Sequence, residues 1–301
     1  GAIADLTTLL ERFPDDARAY CNRALAYASL GRLEEARADL DRALDLAPES
    51  PESLYNRGLV RRAAGDPAGA LEDLDRALEL EPDSVTTLIE RAELRWTGGA
   101  LDAAREDADR AIGLEPTYAP AWTIRAQIRA VTGDLAGALE DAGRAIELDP
   151  SLPGAYSARA VARVQSNDFR GAIEDFQRVV ELDPDQAASA LSNRARCRAM
   201  LGDLEGALAD FARALEIDPR HSFTYANRGM IRRDAGDLRE ALADFDRAVD
   251  LEPDEPDYRI DRGLLRLRLG DAPGAREDLD RAIERGVRTA EVHHARGLAR
   301  K

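Results

Sequence analysis

One skeleton of about 34 residues recurs along the whole chain of 301 residues. Its clearest marker is a proline that returns every 34 residues, except for one interval of 35. These prolines are Pro14, Pro48, Pro82, Pro116, Pro150, Pro184, Pro219 and Pro253. A unit this short buries its apolar face only by stacking on its neighbours. The period therefore predicts a repeat array, which needs no single large core.

Each unit contains two amphipathic helical patterns. The second pattern carries a column of small residues: Ala2, Ala36, Ala70, Ala104, Ala138, Ala172, Ala207, Ala241 and Ala275. A bulkier apolar column follows: Leu40, Leu74, Ala108, Ala142, Phe176, Phe211, Phe245 and Leu279. The turn between the two patterns is marked by Gly31, Gly65, Gly99, Gly133, Asn167, Gly202, Gly236 and Gly270. Glycine and asparagine both tolerate the left-handed backbone that ends a helix, so we expect a helical hairpin in each unit.

The pattern resembles the tetratricopeptide repeat (TPR), a helix–turn–helix with large, small, small, aromatic and proline positions. The large position holds Trp122, Tyr156 and Tyr225, and the first small position holds Gly58, Ala126 and Gly229. The second small position is the alanine column, the aromatic position holds Phe176, Phe211 and Phe245, and the last position is the proline column. The chain departs from the family pattern at one position, late in the first helix, where the family usually has an aromatic residue. That position holds Tyr27 in the first full unit and arginine in every later unit. The resemblance covers essentially the whole chain. It implies an all-α fold, a right-handed TPR superhelical solenoid of antiparallel helix pairs.

We expect residues 1–301 to form a single TPR solenoid. The predicted full repeats are 17–50, 51–84, 85–118, 119–152, 153–186, 188–221, 222–255 and 256–289. Residues 1–16 match the second half of a repeat, and residues 290–301 match the first helix of another, as expected for an excerpt of a longer array. The last full repeat has Val287 in place of its closing proline, so we expect Gly286 to end its second helix.

The longer interval between Pro184 and Pro219 contains one additional residue, near positions 185–188. An insertion inside a helix would rotate every later side chain by about 100°. The later columns are intact, so the residue must lie in a longer connection or at the start of the next helix. We expect Ala207 to stay buried and the packing angle at this junction to differ slightly.

Two polar columns recur as regularly as the apolar ones. The first helices carry arginines at Arg23, Arg57, Arg91, Arg125, Arg159, Arg194, Arg228, Arg262 and Arg296, and four residues later at Arg61, Arg95, Arg129, Arg163, Arg198, Arg232, Arg266 and Arg300. The second helices carry Asp5, Asp39, Asp73, Asp107, Asp141, Asp175, Asp210, Asp244 and Asp278. A joint between helices must recur in every unit, so we predict an arginine–aspartate ladder. The alternative is a basic stripe for an acidic partner.

The formal net charge of −16 argues against nucleic acid as a partner, because phosphate binding needs a basic face. The remaining acidic residues of the second helices, such as Glu72, Asp75, Asp109 and Asp246, predict a solvated outer wall or, alternatively, a surface that steers a basic protein. No apolar run approaches the roughly 18 residues of a membrane span. We expect a cytoplasmic protein without a membrane segment.

The sequence gives little support to catalysis. His293 and His294 are adjacent on a predicted helix and point about 100° apart, which suits a metal poorly. His221 stands alone, and the only lysine is Lys301, so a phosphate-binding loop with its lysine is missing. We therefore expect no enzyme, no metal and no cofactor.

In TPR arrays the first helices line a concave face that commonly holds an extended peptide or a partner helix. The position before the first arginine column reads Asn22, Asn56, Glu90, Ile124, Ala158, Asn193, Asn227 and Asp261. An amide both donates and accepts, so spaced asparagines can bind a peptide backbone; alternatively, they are merely solvent-facing polar residues. Aromatic side chains are frequent anchors in recognition surfaces. The predicted peptide-binding residues are Asn22, Asn56, Tyr55, Glu90, Trp96, Ile124, Asn193 and Asn227.

The sequence as a whole predicts a scaffold for protein–protein interaction that binds an extended peptide or partner segment in its groove. The lysine-rich clamp of chaperone-tail-binding TPR domains is missing, which disfavours that ligand class. Two alternatives stay open: a regulatory or targeting arm of a larger enzyme, and a structural array that self-associates through its open ends.

Overall fold

The computed structural model describes residues 1–299, and over that range it contains eighteen α-helices and no strand. The helices are α1 (Ala2–Arg12), α2 (Ala17–Ala28), α3 (Leu33–Leu46), α4 (Pro51–Ala63), α5 (Pro67–Leu80), α6 (Val85–Thr97), α7 (Leu101–Leu114), α8 (Ala119–Thr132), α9 (Leu135–Leu148), α10 (Pro153–Gln165), α11 (Phe169–Leu182), α12 (Ala187–Met200), α13 (Leu204–Ile217), α14 (Ser222–Ala235), α15 (Leu238–Leu251), α16 (Pro256–Arg268), α17 (Ala272–Glu284) and α18 (Ala290–Leu298). The predicted all-α fold is confirmed.

The chain divides into two compact units, the first ending at Pro150 and the second beginning at Ser151. The first unit contains α1–α9 and the second α10–α18. In each unit the helices pack as antiparallel pairs, one pair for each predicted full repeat. The right-handed superhelix and the single continuous solenoid over residues 1–301 stay predictions. Among the described helices, none has both the length and the apolar character needed to span a membrane.

Several apolar clusters join the two helices of one repeat to the first helix of the next. In the second unit, Ala195 of α12, Ala207 and Phe211 of α13, and Ile231 of α14 pack together. The alanines of the small-residue column from Ala36 to Ala275 have no exposed surface. Because a cluster is complete only when the next repeat is present, stacking supplies the stability that single helices lack.

A left-handed residue followed by a capping aspartate separates the two helices of most repeats. Gly65 has φ of 81°, and the Asp66 side chain then accepts a hydrogen bond from the Gly69 backbone N–H. Asn167, with φ of 61°, is the one non-glycine residue with positive φ within residues 1–299. Gly286, with φ of 97°, ends α17 as expected from the missing proline.

The additional residue of the long interval lies at the start of α12. The connection before α12 spans residues 183–186, the same length as the connection 81–84 before α6. Arg194 is the eighth residue of α12, whereas the equivalent Arg159 is the seventh residue of α10 and Arg125 the seventh residue of α8. Of the two predicted possibilities, the extra N-terminal helical residue is therefore confirmed. Ala207 is fully buried, so the packing columns stay in register beyond the insertion. The expected difference in packing angle stays a prediction.

The predicted arginine–aspartate ladder is present. Eight of the nine aspartates are at most 7% exposed, and each accepts hydrogen bonds from an arginine of its own repeat: Asp39, Asp73, Asp107, Asp141, Asp175, Asp210, Asp244 and Asp278. Asp141 illustrates the joint, because it accepts from Arg125 Nε at 2.8 Å and from Arg129 Nη1 at 2.7 Å. These charge-assisted hydrogen bonds brace the first helix against the second.

The ladder also connects neighbouring repeats, which the sequence interpretation missed. Arg91 Nη1 lies 2.6 Å from Asp75 Oδ1 of the preceding repeat, and Arg125 Nη1 lies 2.7 Å from Asp109 Oδ1. Arg262 contacts Asp246 in the same way, at 3.0 Å. The side chains of Asp75 and Asp109 are 50% exposed and that of Asp246 is 43% exposed, as an outer wall requires, and all three also bind arginines across the repeat junctions. Hydrogen bonding to Asp141 is the main cause that raises the pKa of Arg125 above its ordinary value.

Candidate ligand-binding grooves

The first helices of consecutive repeats line shared cavities in the second unit. One cavity of about 290 Å³ lies along α10, α12 and α14, and we call it the α12–α14 cavity. A neighbouring cavity of about 300 Å³ lies along α14 and α16, and we call it the α14–α16 cavity. Asn227 and Met230 line both cavities, so the two are adjacent. Together they form a groove along four consecutive first helices, α10, α12, α14 and α16.

Apolar side chains dominate the lining of this groove. Met200 is 65% exposed and lines the α12–α14 cavity together with Val164 and Phe169. Phe223 is 37% exposed and lines the α14–α16 cavity. Large apolar side chains left open to solvent inside a concave site are typical of ligand-binding surfaces.

The asparagines of the predicted binding column have different environments. Asn227 is only 1% exposed and donates from Nδ2 to Ser192 Oγ at 3.2 Å, in the preceding repeat. Asn56 is 7% exposed and donates to Cys21 Sγ at 3.2 Å. Cys21 lies in the preceding repeat, at the position equivalent to Ser192. Both amides are thus hydrogen-bonded between repeats, and the alternative of a solvent-facing residue is wrong for them.

The other two predicted asparagines are more accessible. Asn22 is exposed on α2, as the solvent-facing alternative describes. Asn193 is half-buried on α12 and lines the α12–α14 cavity with Asn227 of the next repeat. The structure therefore brings two members of the column, Asn193 and Asn227, to one cavity. Their contact with a peptide stays a prediction.

Glu90 replaces asparagine in the first unit and lies in a mixed polar and aromatic environment. Its carboxylate is 3.1 Å from Arg62 Nη1 of the preceding repeat, and Arg62 also contacts Glu93 at 2.9 Å. Burial is the main cause that raises the pKa of Glu90. The pKa values of Tyr55 and Tyr118 are raised mainly by burial and secondly by the negative charge of Glu90. The predicted residues Tyr55 and Glu90 are therefore close together.

Asp261 repeats this arrangement in the second unit. Its Oδ1 lies 3.2 Å from Arg233 Nη1, which is in the preceding repeat at the position equivalent to Arg62. Burial is the main cause that raises the pKa of Asp261, and the charge of Arg233 lowers it less. Sequence reasoning missed both pairs. The signal was available, since only Arg62 and Arg233 place arginine in that column, and each precedes an acidic residue by 28 positions.

The predicted residues Trp96 and Ile124 differ in accessibility. Trp96 is half-buried and lines a third cavity, of about 550 Å³, with Arg62, Glu93 and Gln127. Ile124 is 3% exposed and belongs to an apolar cluster of the first unit, against which Trp96 also packs. Ile124 thus contributes to the core, while Trp96 presents part of its ring to a cavity.

The described residues offer little reactive chemistry in these cavities. Cys197 lines the α12–α14 cavity, but burial raises the pKa of its thiol to about 11, so it is protonated at neutral pH. Both ring nitrogens of His221 are within hydrogen-bond distance of hydroxyl groups, those of Ser189 and Thr224. Within residues 1–299, no group of three or more His, Cys, Asp or Glu side chains is arranged to hold a metal ion.

Solved structures share this fold at low sequence identity. A tetratricopeptide repeat protein from Parabacteroides merdae is similar with a TM-score of 0.63 and 19% identity, over 83% of this chain and 99% of that chain. A chain of the APC/C hetero-tetramer Cut9–Hcn1 has a TM-score of 0.70 and 15% identity, over 99% of this chain and 58% of that chain. The monomeric mutant of IFIT1 with Gppp-AAAA has a TM-score of 0.67 and 15% identity, over 94% and 76%.

Sequence comparison identifies the family directly. No curated protein sequence matches the chain significantly. Family models described as tetratricopeptide repeat match residues 1–51, 55–119, 157–222 and 229–300, which is most of the chain. The recurring helical hairpins, the buried alanine column and these matches agree. The chain belongs to the tetratricopeptide repeat family, whose repeats generally mediate protein–protein interactions.

Proposed function

We propose that this chain is a protein-interaction scaffold whose first helices bind an extended segment of a partner protein. The observation that supports the proposal most is the pair of adjacent cavities in the second unit, which share Asn227 and Met230. An extended segment has alternating side chains, so it can place apolar side chains in successive cavities and direct its backbone toward an amide such as Asn193. We propose no catalytic role.

The energetics of the groove fit a modest affinity. Burial of one large apolar side chain contributes about 1.5–3 kcal/mol, and the groove offers two cavities. A net hydrogen bond to an amide adds about 0.5–1.5 kcal/mol. A dissociation constant of about 1 μM requires roughly 8 kcal/mol after the cost of ordering the segment. Two cavities alone therefore fall short of tight binding, and we expect further contacts along the first helices.

The partner is a protein or peptide in this proposal. The excess of negative charge, −16 in total, disfavours a polyanion such as nucleic acid. Gppp-AAAA is present in the IFIT1 structure, and we do not propose such a ligand for this acidic chain.

An unbiased peptide library displayed on phage and selected on the full chain tests the proposal. The selected peptides are then measured against Met200→Glu, which places a charge in the α12–α14 cavity. The matched control is Ile217→Glu, because Ile217 is also exposed, at 47%, but lies at the end of α13 and lines neither cavity. We expect at least tenfold weaker binding to Met200→Glu and unchanged binding to Ile217→Glu. Equal binding to both variants, or a library without binders, would contradict the proposal.

A further inference from the structure

The α14–α16 cavity combines an apolar floor with an acidic rim. We infer that it selects a partner segment in which a large apolar side chain lies next to lysine or arginine. The apolar side chain would enter between Phe223 and Met230, and the basic side chain would approach Asp257 and Asp261. This inference rests on the proposed function, since it names the chemistry of the segment that the groove binds.

The floor accepts one apolar side chain. Phe223 is 37% exposed, whereas Met230 and Ile260 are half-buried, so part of each side chain is open to the cavity. The volume of about 300 Å³ is at the lower limit of sites that hold a whole small molecule. A cavity of this size and lining suits a leucine, methionine or phenylalanine side chain of a bound segment.

The rim carries more negative than positive charge. Arg233 is the one guanidinium within hydrogen-bond distance of Asp261 on the described chain, at 3.2 Å, and it also lies 3.0 Å from Asp234. The carboxylates of Asp257 and Asp234 are near enough to Asp261 to raise its pKa, although burial is the larger cause. Asp261 and Asp234 thus share one guanidinium, and Asp257 adds a further carboxylate to the cavity lining. A cation from a partner would complement this local excess of charge.

The other arginines in the middle of α16 donate hydrogen bonds to acceptors outside the cavity. Arg262 and Arg266 donate to the ladder residue Asp278, at 2.6 Å and 2.9 Å. Arg259 donates to the backbone carbonyl of Pro253 at 2.9 Å. These guanidinium groups are held by other acceptors, so they do not neutralise the rim. The acidic character of the α14–α16 cavity is therefore built into the arrangement of α16.

The neighbouring α12–α14 cavity has a different charge. Its charged lining residues are Arg196, Arg233 and Asp234, which gives an excess of positive charge. The basic side chain of a bound segment is therefore placed toward α16 and away from α12. The opposite charges of the two cavities together predict which part of the bound segment carries the basic side chain.

Synthetic peptides test this inference on the full chain. Fluorescein-labelled peptides of about ten residues alternate Leu with Lys, Leu with Glu, or Ser with Lys, and binding is followed by fluorescence anisotropy at roughly 0.1 M salt, where long-range attraction is largely screened. We expect the Leu–Lys peptide to bind best and the Leu–Glu peptide not to bind. The Ser–Lys peptide should bind at least fivefold more weakly than Leu–Lys, because it lacks the apolar side chain.

Paired charge variants separate the rim from the overall charge. The double variant Asp257→Asn, Asp261→Asn should bind the Leu–Lys peptide about tenfold more weakly. The matched control, Asp185→Asn with Asp250→Asn, removes the same charge from exposed positions that line neither cavity, and should leave binding unchanged. Phe223→Ala, at an exposed position, should weaken the same peptide without touching the carboxylates. Thermal unfolding of each variant, followed by circular dichroism, verifies that it is folded.

Each result decides for or against the inference. Equal losses in the two double variants would show non-specific attraction and overturn it, as would tight binding of the Leu–Glu peptide. Library peptides that depend on Met200 but lack basic residues would overturn this inference and leave the proposed function standing. A library without any groove-dependent peptide would overturn the proposed function itself.

Discussion

Two polar systems lie side by side on the first helices, and they are built on different plans. Arg125 belongs to the ladder and binds Asp141, an arrangement that recurs in every full repeat. The residue just before each ladder arginine varies: it is asparagine in Asn227, carboxylate in Glu90 and apolar in Ile124. Adjacent positions on a helix point about 100° apart, so one faces the second helix and the other faces the groove and the neighbouring repeat.

The difference teaches how a repeat protein separates stability from recognition. A joint between helices must be the same wherever the helices pack in the same way, so the ladder is repeated. A position that meets a partner, or only one neighbouring side chain, is free to change from repeat to repeat. We therefore expect ladder substitutions to lower stability strongly, and groove substitutions to change stability little. The four predictions that follow test this contrast, from the largest effect to the smallest.

The largest effect is expected from Asp141→Ala. Asp141 is 1% exposed and accepts hydrogen bonds from Arg125 and Arg129, so its removal deprives two partly buried guanidinium groups of the acceptor that they share, while Arg125 keeps Asp109 at 2.7 Å. We expect the free energy of unfolding to fall by about 3 kcal/mol, the lower end for a broken buried pair because the arginines keep some solvent contact. Urea unfolding followed by circular dichroism measures it. Glu140→Ala, an exposed neighbour on α9, is the control and should change stability by less than about 0.5 kcal/mol. Similar losses in both variants would contradict the structural role of the ladder.

The second effect concerns the apolar part of the same joint. Ala207→Leu inserts three heavy atoms where Ala207, Phe211 and Ala195 already touch, with no exposed surface at Ala207. Overpacking should lower the free energy of unfolding by about 1–3 kcal/mol. Ala212→Leu is the matched control, because Ala212 is exposed on the same helix. An unchanged denaturation midpoint for Ala207→Leu would show that the alanine column does not mark the helix crossing.

The repeated features were the ones that the sequence predicted well. The alanines from Ala36 to Ala275, the left-handed turn residues including Asn167, and eight of the nine ladder aspartates are where the register placed them, whereas Ala2 and Asp5 on α1 are exposed. The reason is physical: a packing requirement that recurs in every unit leaves the same residue at the same spacing many times. Even the one irregularity, the added residue at the start of α12, was restricted to two possibilities by the intact columns after it.

The groove was harder to predict because its residues do not repeat. The register placed Asn227 and Ile124 on the groove side, but not their depth, since burial depends on which side chain the neighbouring repeat supplies. Ser192 accepts the hydrogen bond of Asn227 and draws its amide inward, whereas Asn22 is exposed. The cavities depend equally on neighbours, because Phe169 and Met200 come from different helices.

The third effect separates the buried amides from the exposed one. Asn227→Ala removes the hydrogen bond to Ser192 Oγ between two repeats, and should lower the free energy of unfolding by about 1 kcal/mol. Asn22→Ala, at the equivalent but exposed position, should change it by less than about 0.5 kcal/mol. Both variants are measured by urea unfolding under the same conditions. If Asn22→Ala costs as much as Asn227→Ala, the column has a common structural role, and the contrast with the ladder is wrong.

The smallest effect, and the one whose sign matters most, is expected from Glu90→Gln. Burial raises the pKa of Glu90 above its ordinary value of 4.5, so the folded state holds a proton that the unfolded state releases at lower pH. The contribution of Glu90 to stability is therefore full below pH 4.5 and is lost as the pH rises through the folded pKa. Glutamine carries no charge and avoids this loss, while Arg62 keeps its second partner Glu93 at 2.9 Å.

We therefore expect Glu90→Gln to match the wild-type protein near pH 4 and to equal or exceed its stability at pH 7, by less than about 1 kcal/mol. Unfolding by urea at both pH values measures the difference. The change in the free energy of unfolding at neutral pH has the opposite sign for the ladder. Asp141→Ala lowers it, because the arginines lose the carboxylate that they bind. A Glu90→Gln variant that loses several kcal/mol at pH 7 would show that the Arg62–Glu90 pair is a ladder-like joint. In that case the varied column would be structural at this repeat, and recognition in the first unit would rest on Tyr55 and Trp96 instead.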